Sequence, residues 1–89
     1  MKTVWKYPIP VAGLFTLEMP AGAEVLSVQI QRGNPMLWTL VETDFPKRER
    51  AFRIVGTGHE LLNANELEFR GTFQVRDESE VFHLFEYTQ

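Results

Sequence analysis

The chain has no cysteine and only two histidines in 89 residues. The missing thiols exclude disulfides, a thiolate nucleophile and any zinc site built on cysteine, and they fit a reducing compartment. Long apolar runs are missing too. Pro8, Pro10 and Pro20 break up the N-terminal segment, so neither a secretory leader nor a membrane-spanning helix is expected, and the expected compartment is the cytoplasm. Excess positive charge is also absent. A net charge of −3 argues against duplex nucleic acid as a partner, because that ligand selects basic surfaces. A small anion needs only a local cationic cluster, and Lys47, Arg48, Arg50 and Arg53 form one.

What is present is alternation at period two, the mark of half-buried antiparallel strands. "FTLEM" sets Phe15, Leu17 and Met19 against Thr16 and Glu18. "VLSVQIQ" predicts Leu26, Val28 and Ile30 inward. "LEFRGTFQV" predicts Leu67, Phe69, Phe73 and Val75 inward, with Glu68 and Arg70 outward. "MLWTLV" and "VFHLFEY" are apolar at both parities, which suits central strands or strands that bury a second face against another subunit. Turn residues punctuate these runs: "EMPAGAE", "RGNP" at Arg32–Pro35, "DFPK" at Asp44–Lys47 and "RDESE" at Arg76–Glu80. Only His59–Asn65 has room for a helical turn. The expected fold is a single all-β domain over residues 1–89, a small antiparallel sandwich or barrel of about seven short strands. Consecutive strands are expected to pair as hairpins.

Four stretches carry possible chemistry. In "VGTGH", Gly56 and Gly58 allow backbone amides to converge on a phosphate or carboxylate, with Thr57 and His59 adding hydrogen bonds. The same residues equally describe a strand ending in a glycine turn. The pattern is neither a P-loop nor a dinucleotide fingerprint, since the Lys-Ser/Thr and the third glycine are missing. "VWKYPIP" alternates Trp5 and Tyr7 about Lys6, and Trp38 lies in "MLWTLV". Aromatic faces stack bases, and they also fill small cores. "PKRERAFR" reads as a charged edge strand or as an anion clamp of Arg48, Arg50 and Arg53. His83, between Val81 and Phe85, reads as a structural histidine rather than a metal ligand. No nucleophile or acid–base pair stands out, and no metal or cofactor is expected.

The quoted segments "WKYPI", "FTLEMPAGAEVLSVQIQRGNPMLWTLV", "FRIVGTGH", "GTFQV" and "VFHLFE" together resemble a family of small β proteins of unknown function found in phages and prophages. The resemblance runs essentially full length and implies an accessory protein acting in the cytoplasm of an infected host cell. In type, though in no positional motif, such a chain is similar to viral sponges that sequester the cyclic-nucleotide signals of CBASS and Thoeris defence. The expectation that follows is a non-enzymatic homo-oligomer that sequesters a small nucleotide. Trp5, Tyr7 or Trp38 would stack the base, and Lys6, Arg48, Arg50 or Arg53 would neutralise phosphate. Thr57, Gly58 and His59 would supply hydrogen bonds. The alternatives are a protein-binding inhibitor of a host or defence protein, or a minor virion or assembly component. The inhibitor would use the same aromatic and arginine residues as interface anchors.

Overall fold

Period-two alternation is realised as strand in a computed structural model that describes residues 1–75 and 79–88. The strands are β1 (Lys2–Pro8), β2 (Gly13–Pro20), β3 (Glu24–Gln31), β4 (Asn34–Glu42), β5 (Lys47–Gly56), β6 (Leu67–Val75) and β7 (Glu80–Tyr87). One 3₁₀ turn, Ala64–Glu66, sits between β5 and β6, and no α-helix occurs among the described residues. Of the expected turn at Arg76–Glu80, residues 76–78 lie outside the described residues.

Two antiparallel sheets form, in the orders β1-β4-β3 and β2-β5-β7-β6. Their inner faces share one core. Val28, Leu37 and Val41 come from the first sheet, and Met19, Phe52, Ile54, Phe73 and Leu84 from the second. Each such side chain, once fully buried, contributes roughly 1.5–3 kcal/mol.

Sequential hairpins are fewer than expected. Only β3–β4 and β6–β7 pair as chain neighbours, whereas β1 pairs with β4, β2 with β5 and β5 with β7. Of the other consecutive strands, β5 and β6 share a sheet with β7 between them, while β1 and β2, β2 and β3, and β4 and β5 lie in different sheets. Their links carry Pro10 and Pro46 and follow strands ending at Pro8 and Pro20. Proline has no N–H for a ladder, so these points end one sheet and let the chain pass to the other. The "DFPK" segment is therefore a crossover. "RGNP" does make a hairpin: Arg32 and Gly33 have φ of 53° and 83°, the paired positive values of a type I′ turn.

Two predicted inward runs are corrected by β-bulges. The β3–β4 register jumps between Val25 and Ser27, leaving Leu26 as the extra residue. Val25, Val28 and Ile30 then reach the core, while Leu26 stays 47 % exposed. The β6–β7 register jumps between Phe69 and Gly71, which makes Arg70 the extra residue. Phe73 and Val75 meet the core as expected, but Phe69 is 57 % exposed and Leu67 shares its parity. One inserted residue reverses the face of everything on its far side.

Gly71 marks where β6 passes closest to β3. A Cβ there would lie 2.6 Å from Val28 Cγ1, well inside van der Waals contact. Gly71→Ala should destabilise the fold by about 1–3 kcal/mol through overpacking. In a Val28→Ala background the same change should cost much less, because the clashing methyl is gone. Urea denaturation of the four proteins in this cycle measures the coupling, and additive effects would contradict the contact.

Candidate functional site

The "VGTGH" segment lies where β5 ends. The Thr57 amide donates to Val81 O (3.1 Å) and the His59 amide to Gly56 O (3.1 Å). Gly58, third in this four-residue turn, has φ +86°, as a type II turn requires. Two of the three amides that a nest would aim at an anion are thus already engaged, one by β7 and one by the turn itself. The His59 ring lies over Gly56, where an added Cβ would meet its Cε1 at 3.3 Å. Around this corner runs an open depression of ≈350 Å³ lined by Gly56, Thr57, His59, Ser79, Glu80, Val81 and Phe82. Thr57 and His59 are brought together there with an aromatic edge. Among the described lining residues there is no cation.

His83 is satisfied on both ring nitrogens. Thr57 Oγ1 lies 2.7 Å from Nε2 and Thr72 Oγ1 2.9 Å from Nδ1. Two hydroxyls serve the imidazole in either tautomer, and the ring links the corner at Thr57 to Thr72 of β6. Among the described residues no cluster of His, Asp and Glu suits a metal.

The aromatic candidates are separated. Trp5 and Tyr7 alternate inward on β1 and pack against the core. Burial pushes the Tyr7 phenol above its ordinary value while the Arg50 charge opposes that shift. Its hydroxyl is buried with no hydrogen-bond partner. Lys6 points to the opposite face, pairs in register with Trp38 and donates to Gln31 Oε1 at 2.7 Å. Trp38 lies in a shallow groove of ≈360 Å³ with Val4, Leu26, Ser27 and Gln29.

The arginines separate as well. Arg48 is exposed near the start of β5, donating to Lys47 O. Arg50 points inward. Its Nε and Nη2 hold both oxygens of Glu86 (2.6 and 3.0 Å), and its Nη1 donates to Ala23 O at 2.6 Å. Arg70 Nε adds a further bond to Glu86 at 2.9 Å. Burial alone would push the Glu86 carboxyl up. The hydrogen bonds and charges of Arg50 and Arg70 outweigh it and hold the group below the usual glutamate value. Arg53 faces outward over the Tyr87 ring, 5.8 Å from its centroid. The Glu86–Arg70 pair was not singled out in the sequence, although a carboxylate two residues from Leu84 on an apolar strand falls at a buried parity and so calls for a cation.

Two outcomes follow for these interior groups. Tyr7→Phe should leave stability unchanged or raise it by up to about 1 kcal/mol, since it removes an unpaired buried hydroxyl; a clear loss in calorimetric melting would show that the hydroxyl has a partner. Glu86 has a depressed folded-state pKa, so its stabilisation is complete above the ordinary glutamate value of 4.5 and is lost as pH falls through the lower folded value. Glu86→Gln should cost roughly 3–5 kcal/mol near neutrality, and its deficit relative to wild type should narrow as urea midpoints are followed to more acid pH. A deficit that stays constant with pH would contradict the assignment.

No curated protein and no solved structure matches the chain. No helix among the described residues is long and apolar enough to cross a membrane. A family model, Domain of unknown function (DUF7352), matches residues 1–89, and the description names no activity, ligand or source. With the whole length matched, the chain belongs to the DUF7352 family.

Proposed function

We propose that the protein is a non-enzymatic interaction protein that captures a partner protein on the outer face of its three-stranded sheet. The observation that carries this reading is Trp38, lying across an open sheet face between Val4 and Leu26 instead of in the core. Tryptophan is among the residue types most enriched at the hot spots of protein interfaces. Lys2 and Lys6 lie on the same side of β1 as Val4, so the partner best suited to this face offers an apolar pocket for the indole, with carboxylates beside it. This develops the protein-binding alternative read from the sequence. A photo-crosslinker at position 4 identifies the partner, and calorimetry with that partner purified then tests the anchor. Trp38→Ala should weaken binding about thirty-fold or more, the loss of one hot spot. Lys6→Glu should weaken it further and reduce its salt dependence. Unchanged affinity in Trp38→Ala would contradict the reading.

A second reading is favoured by the ≈350 Å³ depression at Thr57 and His59, a volume in the range that holds a small ligand. Here the protein is a phage sponge for a cyclic nucleotide. Phosphate would be met by a cation from outside the described lining. A thermal-shift series with cyclic di- and trinucleotides and cyclic-ADP-ribose isomers tests it. A ligand at 100 times its Kd adds about 2.7 kcal/mol, which raises Tm by more than a few degrees in a domain of this size. A flat response across the series would contradict this reading.

A further inference from the structure

The outer face of the four-stranded sheet carries large apolar side chains among charged and polar ones. Register sets Leu14 beside Arg53, Arg53 beside Phe85 and Phe85 beside Phe69. The two phenylalanine rings meet edge to face at 5.6 Å. Leu14 and Phe69, at the two ends of this row, are 63 % and 57 % exposed. Tyr87 lies beneath the Arg53 guanidinium.

The charges on this face are incomplete in a particular way. The Arg53 Nε is buried without a hydrogen-bond partner, and Arg53 makes no ion pair among the described residues. On the same face Glu18 and Glu49 sit opposite each other on paired strands, an unfavourable like-charge pair that also has no cation among the described residues. Arg53 and Glu49 lie four residues apart on β5, roughly 13 Å along the strand. Midway between them is Ala51, whose register partner is Thr16. The middle of this end of the face is therefore small, and its two flanks carry opposite charges.

We infer that this face is the contact surface between two copies of the chain, packed about a two-fold axis at the level of Ala51, so that Arg53 of each copy meets Glu49 and Glu18 of the other. A two-fold contact presents the same patch from both sides, and this patch complements itself. Thr16 and Ala51 let the sheets approach at the axis on β2 and β5, Tyr87 and Leu67 lie level with them on β7 and β6, and Leu14, Phe85 and Phe69, one step along the strands, pack at the margin of the contact. The inference does not depend on which partner the three-stranded sheet takes.

Sedimentation equilibrium of the full chain tests it. The wild type should approach twice 10.3 kDa as concentration rises. Arg53→Glu and Glu49→Arg should each weaken self-association about tenfold or more, since each places like charges in contact. Mixed together, these two variants should associate more tightly than either does alone, because both contacts between positions 53 and 49 in the mixed pair join opposite charges. Phe69→Ser should weaken association, and Leu26→Ser, on the other sheet, should not. Circular dichroism and urea midpoints establish that each variant is folded, and Glu49→Arg and Phe69→Ser keep the test decisive if Arg53→Glu does not fold. A wild type that stays monomeric at high concentration would overturn the inference, as would a mixed pair that fails to associate. An association abolished by Leu26→Ser but untouched by Phe69→Ser would assign self-contact to the other sheet and overturn it equally.

Discussion

Glu86 is the residue around which the interior charges are arranged. It is 4 % exposed and lies on β7, with its carboxylate between Arg50 of β5 and Arg70 of β6. A buried carboxylate is costly unless it is paired and its lone pairs are filled. Here three donor bonds fill them. Arg50 then extends the network to Ala23 O, in the corner between β2 and β3, so one group of bonds spans both sheets' connections. The bulge at Arg70 belongs to the same arrangement. Without the extra residue, the parity of β6 would send Arg70 to the outer face and Phe69 inward. Such a network gives modest net stability against an apolar replacement but a large penalty when only one member is lost. Its effect is to fix how the three strands register.

That arrangement also decides which of the chain's cations are free to act. In sequence, Arg48, Arg50 and Arg53 look like one cluster. In the fold, Arg50 belongs to Glu86, Arg48 lies in solvent at the strand's start, and Arg53 belongs to the opposite outer face. The aromatic residues divide in the same way, with Trp5 and Tyr7 inside and Trp38 outside. Among the described residues, the two outer sheet faces and the depression at Thr57 and His59 are left open.

The fold class, the strand positions and the corner at Ala21–Ala23 were legible in the alternation of side chains and in the prolines and glycines that interrupt it. The inward sets at Phe15, Leu17 and Met19, and at Phe73 and Val75, followed from parity alone. Leu26 and Phe69 did not, because the bulge at Leu26 has no compositional mark and the one at Arg70 is signalled only by the neighbouring Gly71. Strand pairing was legible only where a short turn enforces it, as at Arg32 and Gly33. Crossovers depend on which faces must be covered, a property of the whole chain. For the same reason the candidate site was legible only locally. Thr57 and His59 are neighbours in sequence and remain so in space. Grouping Trp5 with Trp38, or Arg50 with Arg53, required knowing which side of which sheet each occupies.

A chain of this length has a thin core, and its outer faces leave Val4, Leu14, Leu26 and Phe69 exposed. The account therefore centres on those faces as the surfaces of contact, with the interior ion network and the glycine corner as the parts that position them. Methyl and aromatic resonances followed by nuclear magnetic resonance through a dilution from millimolar to low micromolar protein test this most directly. Leu14, Val55 and Phe69 should shift together along one binding curve, while core groups of Leu37 and Leu84 stay fixed. Shifts confined to Thr57 and His59, or none at all on the outer face of the four-stranded sheet, would contradict it.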